Sequence, residues 1–184
     1  MINLAARDIA HAWGKFVLTG LGLGLLIGLT LSMAGIYRGM VDDARALLRN
    51  SGADLWVVQQ DTQGPYAESS SLRDDVVRDI RALPGVARAA NATYLTMQVS
   101  RAGADDVRAM VVGFEPGQPG EPGFLVAGRH LARSHYEAVA DVRTGFALGE
   151  RIRIRRHDYT VVGLTRRTVS SGGDPMVFIP LKDA

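Results

Sequence analysis

Hydrophobic positions are distributed very unevenly along this chain: the apolar mass sits at the N-terminus, and short alternations broken by turns follow it. From Phe16 to Tyr37 (FVLTGLGLGLLIGLTLSMAGIY) no charged residue occurs, and Lys15 and Arg38 bound the run. At about 1.5 Å per residue such a helix covers roughly 33 Å, enough for a hydrocarbon core of about 30 Å. The pattern predicts one transmembrane helix over residues 16–37, in contact with the lipid bilayer. A cleaved leader has an apolar core of only about 7–15 residues ahead of a small-x-small site. This run is longer, and Ser32-Met33-Ala34 is a poor site of that kind.

Gly20, Gly24 and Gly28 recur every four residues and so share one helical face. Between lipid-embedded helices no hydrophobic effect operates, and a strip of small residues allows close backbone approach. The three glycines are therefore candidate helix-packing residues, although glycine is also common in such helices for no special reason. Basic residues do not orient the span: Arg7 and Lys15 precede it, and Arg38, Arg45 and Arg49 follow. Residues 1–15, with Leu4, Ile9 and Trp13 set among charges, read as an amphipathic segment lying at the interface.

Beyond the span, residues 38–50 continue as a helical stalk that Asn50-Ser51-Gly52 ends. Residues 51–184 read as one soluble domain. Ala53–Gln60 (ADLWVVQQ) has a strand pattern, and Asp61–Ser71 is a polar loop. A helix capped by Ser71 then places Leu72, Val76, Val77, Ile80 and Leu83 on one face and stops at Pro84-Gly85. Val86–Arg101 and Val107–Glu115 form a hairpin on which that helix should pack. After the loop PGQPGEPG, Arg151–Arg155 (RIRIR) and Tyr159–Leu164 pair through a turn at Arg156-His157-Asp158, and Met176–Pro180 is a last short strand. The expected fold class is α+β: a transmembrane helix followed by a mixed α/β domain with antiparallel strands.

Composition narrows the chemistry. Mean hydropathy is only +0.05, so the span is hidden in an average that resembles a soluble protein. Twenty-one basic residues against 19 acidic ones are spread along the chain, which gives no nucleic-acid-binding face. Cys is absent, which removes thiolate metal sites and cysteine nucleophiles. No GxxxxGK[ST], no GxGxxG after a strand and no HExxH occurs, so the chain has no nucleotide site of its own. His130, His135 and Glu137 lie close in sequence, but their spacing fits no standard metal-ligand pattern. Ser170-Ser171-Gly172-Gly173-Asp174 reads as a turn without the strand–turn–helix elbow of a nucleophile. Asp42-Asp43 and Asp74-Asp75 point about 100° apart on a helix and form no dyad. The arginines of RIRIR read as a solvated face. No catalytic residue, cofactor site or metal site is predicted, and a membrane-tethered hydrolase finds no support.

The order of the parts is more informative than any one motif. Leu83-Pro84-Gly85-Val86 follows the helix, Gly113-Phe114-Glu115-Pro116 the hairpin, and Ala140-Asp141 comes before Leu148-Gly149. Val161-Val162-Gly163-Leu164 then precedes the final strand and Pro180-Leu181. Across essentially the whole chain this order resembles the N-terminal half of the MacB/FtsX-like ABC transporter permeases, and most of all their DevC-like branch. The resemblance implies a bacterial inner-membrane protein with a cytoplasmic N-terminus and a periplasmic core domain. It also implies a separate ABC ATPase subunit, a second permease copy making a homodimer, and in some cases a periplasmic adaptor. Further spans and a coupling loop are expected after Ala184, by the same resemblance. The alternative reading is a single-pass anchored interaction domain without a transport role. The motifs do not indicate a substrate.

Overall fold

The computed structural model describes residues 11–64, 68–101, 103 and 105–184, and the chain falls into two compact units, Met1–Val41 and Asp42–Ala184. Most of the amphipathic start, residues 1–10, lies outside the described residues.

Helix α1 runs without a break over Trp13–Asn50. Its most apolar stretch has a mean hydropathy of 2.0, and by length and composition the helix can cross a membrane. The two threonine hydroxyls inside the apolar run are satisfied within the helix: Thr19 Oγ1 donates to Lys15 O and Thr30 Oγ1 to Leu26 O, each at 2.9 Å. That is how a hydroxyl is accommodated where no water is available. At the far end Ser51 Oγ donates to Leu48 O at 2.8 Å, and Gly52 takes the left-handed conformation (φ 63°) that terminates the helix.

The second unit is built on seven strands. These are β1 (Ala92–Arg101), β2 (Val107–Phe114), β3 (Ala127–Gly128), β4 (Glu137–Asp141), β5 (Arg151–Ile154), β6 (His157–Thr165) and β7 (Met176–Pro180). Their order is β3-β6-β4-β7-β2-β1-β5, and β5 pairs again with β6. Six strands thus close into a barrel-like sheet, with β3 added outside. Along one edge of β6, residues 157–160 pair with β5 and residues 163–164 with β3.

This closed sheet corrects the expectation of antiparallel strands. The β1–β2 and β5–β6 hairpins are antiparallel as expected, but β2–β7 and β4–β6 are parallel. Parallel neighbours cannot be joined by a tight turn and come from distant segments, so local alternation carries no sign of them. Every residue of β4 and of β7 is buried, as in central strands covered on both faces.

One buried cluster takes residues from all six barrel strands, among them Val99, Val111, Ala140, Ile152, Tyr159, Val161 and Ile179. It is therefore the interior. A second cluster, with Val112, Phe114, Val139, Met176 and Phe178, takes its buried strand residues from β2, β4 and β7, is flanked by Tyr94 of β1 and Val162 of β6, and is roofed by Leu131 and Leu125. It is the outer face covered by the long segment between β2 and β4. Phe114 and Phe178 meet edge to face there, with centroids 6.1 Å apart.

Three other elements differ from the pattern-based expectation. Residues 53–60 are not a strand. Trp56 leans on Tyr94 with centroids 5.9 Å apart, while Leu55 is 87% exposed. The alternation is that of a strand, but a strand exists only through a ladder, and no described neighbour pairs with it. The helix expected from Ser71 is shorter: α2 spans Val76–Arg81 after Asp75, and none of its residues is buried. Its links to the hairpin region are polar, through Arg81 with Glu115 at 3.6 Å and Asn91 Nδ2 donating to Asp74 O. The β5–β6 turn falls on Arg155-Arg156, with Arg155 at φ 53°, and His157 already belongs to β6.

Where β6 leaves β5 for β3, glycine is required by contact. A Cβ on Gly163 would lie 2.4 Å from Arg129 O and 3.2 Å from Val139 Cγ2. The β4–β6 register shifts at this point, between Ala138 and Val139. Gly163→Ala should destabilise the domain by about 2 kcal/mol through overpacking against backbone, seen as a lower midpoint in thermal or urea denaturation. An unchanged midpoint would show that β3 and β6 do not approach so closely.

Candidate functional site

The segments that carried the resemblance are structural in this molecule. Gly85 has φ 90° in the turn after α2. Gly113 makes room for its neighbours: a Cβ there would meet Ala184 Cβ and Thr93 Oγ1. Asp141, fully buried, accepts from Arg143 N at 2.8 Å, from Thr168 N at 2.8 Å and from Thr168 Oγ1 at 2.9 Å. One carboxylate thus ties the end of β4 to the approach to β7. Gly149, at φ 80°, leads into β5.

Among the residues with candidate chemistry, His130, His135 and Glu137 are sent to three different partners. His130 Nδ1 lies 3.0 Å from Glu121, and His135 Nδ1 lies 2.5 Å from Asp183 Oδ1. Glu137 receives both terminal nitrogens of Arg129, at 2.5 and 3.0 Å, and the backbone N–H groups of Ala132 and Arg133 at 2.9 and 3.1 Å. Ser170 Oγ accepts from Asp174 N at 3.0 Å, closing the loop before β7. Gly20, Gly24 and Gly28 lie in the first unit with open space around each.

The feature that sequence reasoning missed is a groove of about 660 Å³ between the loop 129–136 and β5–β6. Its lining includes Arg129, Arg133 and Tyr136 from the first and Arg151, Asp158 and Thr160 from the second. Tyr136 has a left-handed backbone (φ 60°), an uncommon conformation for an aromatic residue. Asp183, its side chain 7% exposed, holds it there by accepting from Tyr136 N at 2.9 Å and from His135. Around it the rings of His135, His157 and Tyr159 stand 5.6–6.0 Å away. Burial pushes the Tyr159 phenol up to about 12, so it stays neutral. A second groove, of about 450 Å³, opens beside Tyr159 over Leu95, Met97 and Ile154.

A second contact region lies at the foot of α1, within the core unit. Gly120 N donates to Ser51 O at 2.7 Å, and a Cβ on Gly123 would be 2.9 Å from Asn50 O. The PGQPGEPG loop thus seats the last turn of the helix.

The class of architecture is an apolar helix of membrane-spanning length followed by a closed mixed sheet. The MacB-like periplasmic core domain matches residues 16–184, and the chain belongs to that family. An uncharacterized ABC transporter permease of Mycobacterium tuberculosis is 27% identical over 179 residues, covering 97% of this chain and 50% of the relative. A second, from Mycobacterium bovis, is 22% identical over the same length and coverage. The chain spans about half the length of the curated relatives it matches. Among solved structures, the extracellular domain of the noncanonic ABC-type transporter YknZ from Gram-positive bacteria is 11% identical, with TM-score 0.48 over 61% of this chain and 64% of that one. The periplasmic region of MacB from Actinobacillus actinomycetemcomitans is 15% identical, with TM-score 0.47 over 60% and 56%.

The Glu137 node makes a pH prediction. Its bond to Arg129, helped by the two backbone N–H groups and opposed by burial, holds the carboxyl at about 2 against an ordinary 4.5. A folded-state value below the unfolded one contributes stability above about pH 4.5 that is lost as pH falls toward 2. At neutral pH Glu137→Gln should cost about 2 kcal/mol, discounted because Arg129 is half-exposed. The gap to the unsubstituted protein should close between pH 4.5 and pH 2 in urea titrations. A gap independent of pH would mean that shape, not charge, matters at this position.

Proposed function

We propose that this chain is the N-terminal part of a permease subunit of an ABC-type exporter, with residues 16–37 crossing the inner membrane and residues 51–184 forming a periplasmic core domain. Residues 1–15 are then cytoplasmic and residues 38–50 are the stalk. ATP hydrolysis belongs to a separate subunit, and the helix transmits the resulting motion to the periplasmic domain. The observation that carries this reading is mechanical: α1 is one unbroken helix from Trp13 to Asn50, and its last residues are seated on the loop at Gly120 and Gly123. Family membership and permease relatives support the same reading. The Gly20, Gly24 and Gly28 face supplies the packing surface for a second permease copy or for further spans, and a periplasmic adaptor is a further partner.

Three measurements follow. With the full chain as bait, an ABC ATPase encoded beside it should co-purify from detergent extracts. Its absence would leave the single-pass anchored interaction domain as the better reading. Leu26→Arg, at mid-span, carries an insertion penalty of about 3 kcal/mol and should shift part of the protein out of the carbonate-resistant membrane fraction. Unchanged partitioning would argue against residues 16–37 as the span. Replacing Gly20, Gly24 and Gly28 together by Val should reduce crosslinking between cysteines placed on that face by about tenfold. Undiminished crosslinking would remove the glycine face from the interface.

A further inference from the structure

We propose that the groove between Arg133 and Arg151 is a binding site for a phosphate-bearing anion. Most of the charges there are already neutralised by neighbours. Two carboxylates face the groove, Glu137 and Asp158. Glu137, 5% exposed, is bound by both ends of the Arg129 guanidinium, and Asp158 accepts from Arg153 Nε at 2.9 Å. Those pairs cancel. Arg133 is 81% exposed, and its Nε reaches Glu137 only at 3.8 Å. Arg151 is exposed and, among the described residues, makes no ion pair or hydrogen bond through its side chain. The two arginines line the same concave surface, in a chain whose formal net charge is only +2. General basicity therefore does not account for the pairing.

The loop that carries Arg133 is also held in place. Ala132 N and Arg133 N donate to Glu137, while three residues on Tyr136 N and His135 are held by Asp183. Both ends of the turn are thus pinned from below by buried carboxylates, and the Arg133 stem starts from a fixed backbone. A preorganised arginine loses less entropy on binding. Two guanidiniums can each offer paired N–H groups to a tetrahedral oxyanion, a geometry that suits phosphate better than a single carboxylate. Thr160 and Ser134, also in the lining, add neutral hydroxyl donors. The phosphate belongs either to a lipid headgroup or to a soluble phosphoester.

The site is tested with the full chain in a neutral maltoside detergent, using two probes: short-chain dihexanoyl phosphatidylglycerol and inorganic phosphate. Saturable binding of at least one probe, weakening with salt, is expected. Arg133→Gln with Arg151→Gln should weaken it by about tenfold or more, and the Lys versions should restore part of the loss. A charge-matched pair elsewhere, Arg166→Gln with Arg167→Gln, should leave it unchanged, and circular dichroism melts establish that every variant is folded. Binding of phosphatidylglycerol alone assigns the phosphate to a lipid, and competition between the probes assigns it to soluble phosphoesters as well. If neither probe binds saturably, or if both double variants weaken binding equally, the proposal is overturned and these arginines are a solvated face.

Discussion

Pairing of β5 with β6 closes the sheet, and most other features of the core domain follow from that closure. The β5–β6 hairpin is local, but β5 also pairs with β1, through Val99–Arg101 and Ile152–Ile154, across about fifty residues of chain. Once that edge is joined, inward residues of six strands share one interior, and the domain's largest buried group, Tyr159, is sealed inside it. Closure also removes the exposed sheet edges that would otherwise invite aggregation. The cost is crowding on β6, which must serve β4 on one side and both β5 and β3 on the other. Gly163 is where that crowding is resolved.

The segments most useful for placing the chain in its family turn out to support the fold at joints. Gly85 turns the chain after α2, Gly113 makes room for Thr93 and Ala184, Gly163 admits the backbone of Arg129, and Asp141 ties β4 to the segment before β7. Such positions tolerate few substitutes because a Cβ or a missing carboxylate is felt by backbone, which cannot move aside as a side chain can. A family can therefore keep its architecture and vary its surface. The candidate anion groove is lined largely by exposed side chains that the architecture does not fix, so the fold alone does not specify it.

Legibility differed sharply between local and non-local features. The long helix, its end at Asn50-Ser51-Gly52, the β1–β2 hairpin, the β5–β6 hairpin and the strand Met176–Pro180 were all readable, because each depends on periodicity or on turn residues within a few positions. Ala53–Gln60 was misread as a strand for an instructive reason. Its pattern is right, but pairing is a property of two segments, and no described segment forms a ladder with it. α2 proved shorter than its apolar spacing suggested, since Leu72 and Leu83 are exposed and lend no packing energy to extend it.

For the candidate site the division is similar. Arg151 was visible as one of a row of outward arginines, and Glu137 and His135 as residues with possible metal chemistry. Their true partners, Arg129 for Glu137 and Asp183 for His135, could not be inferred, because forty-eight residues separate His135 from Asp183. By itself the amino-acid sequence determined an apolar helix of membrane-spanning length, a domain with short strands, and the order of motifs that places it in its family, all of which are written in local composition. Only the tertiary structure decided that the strands close on themselves, that two of the pairings are parallel, and that Arg133 and Arg151 line one groove. Those facts arise from contacts between distant segments, whose energies no local pattern records.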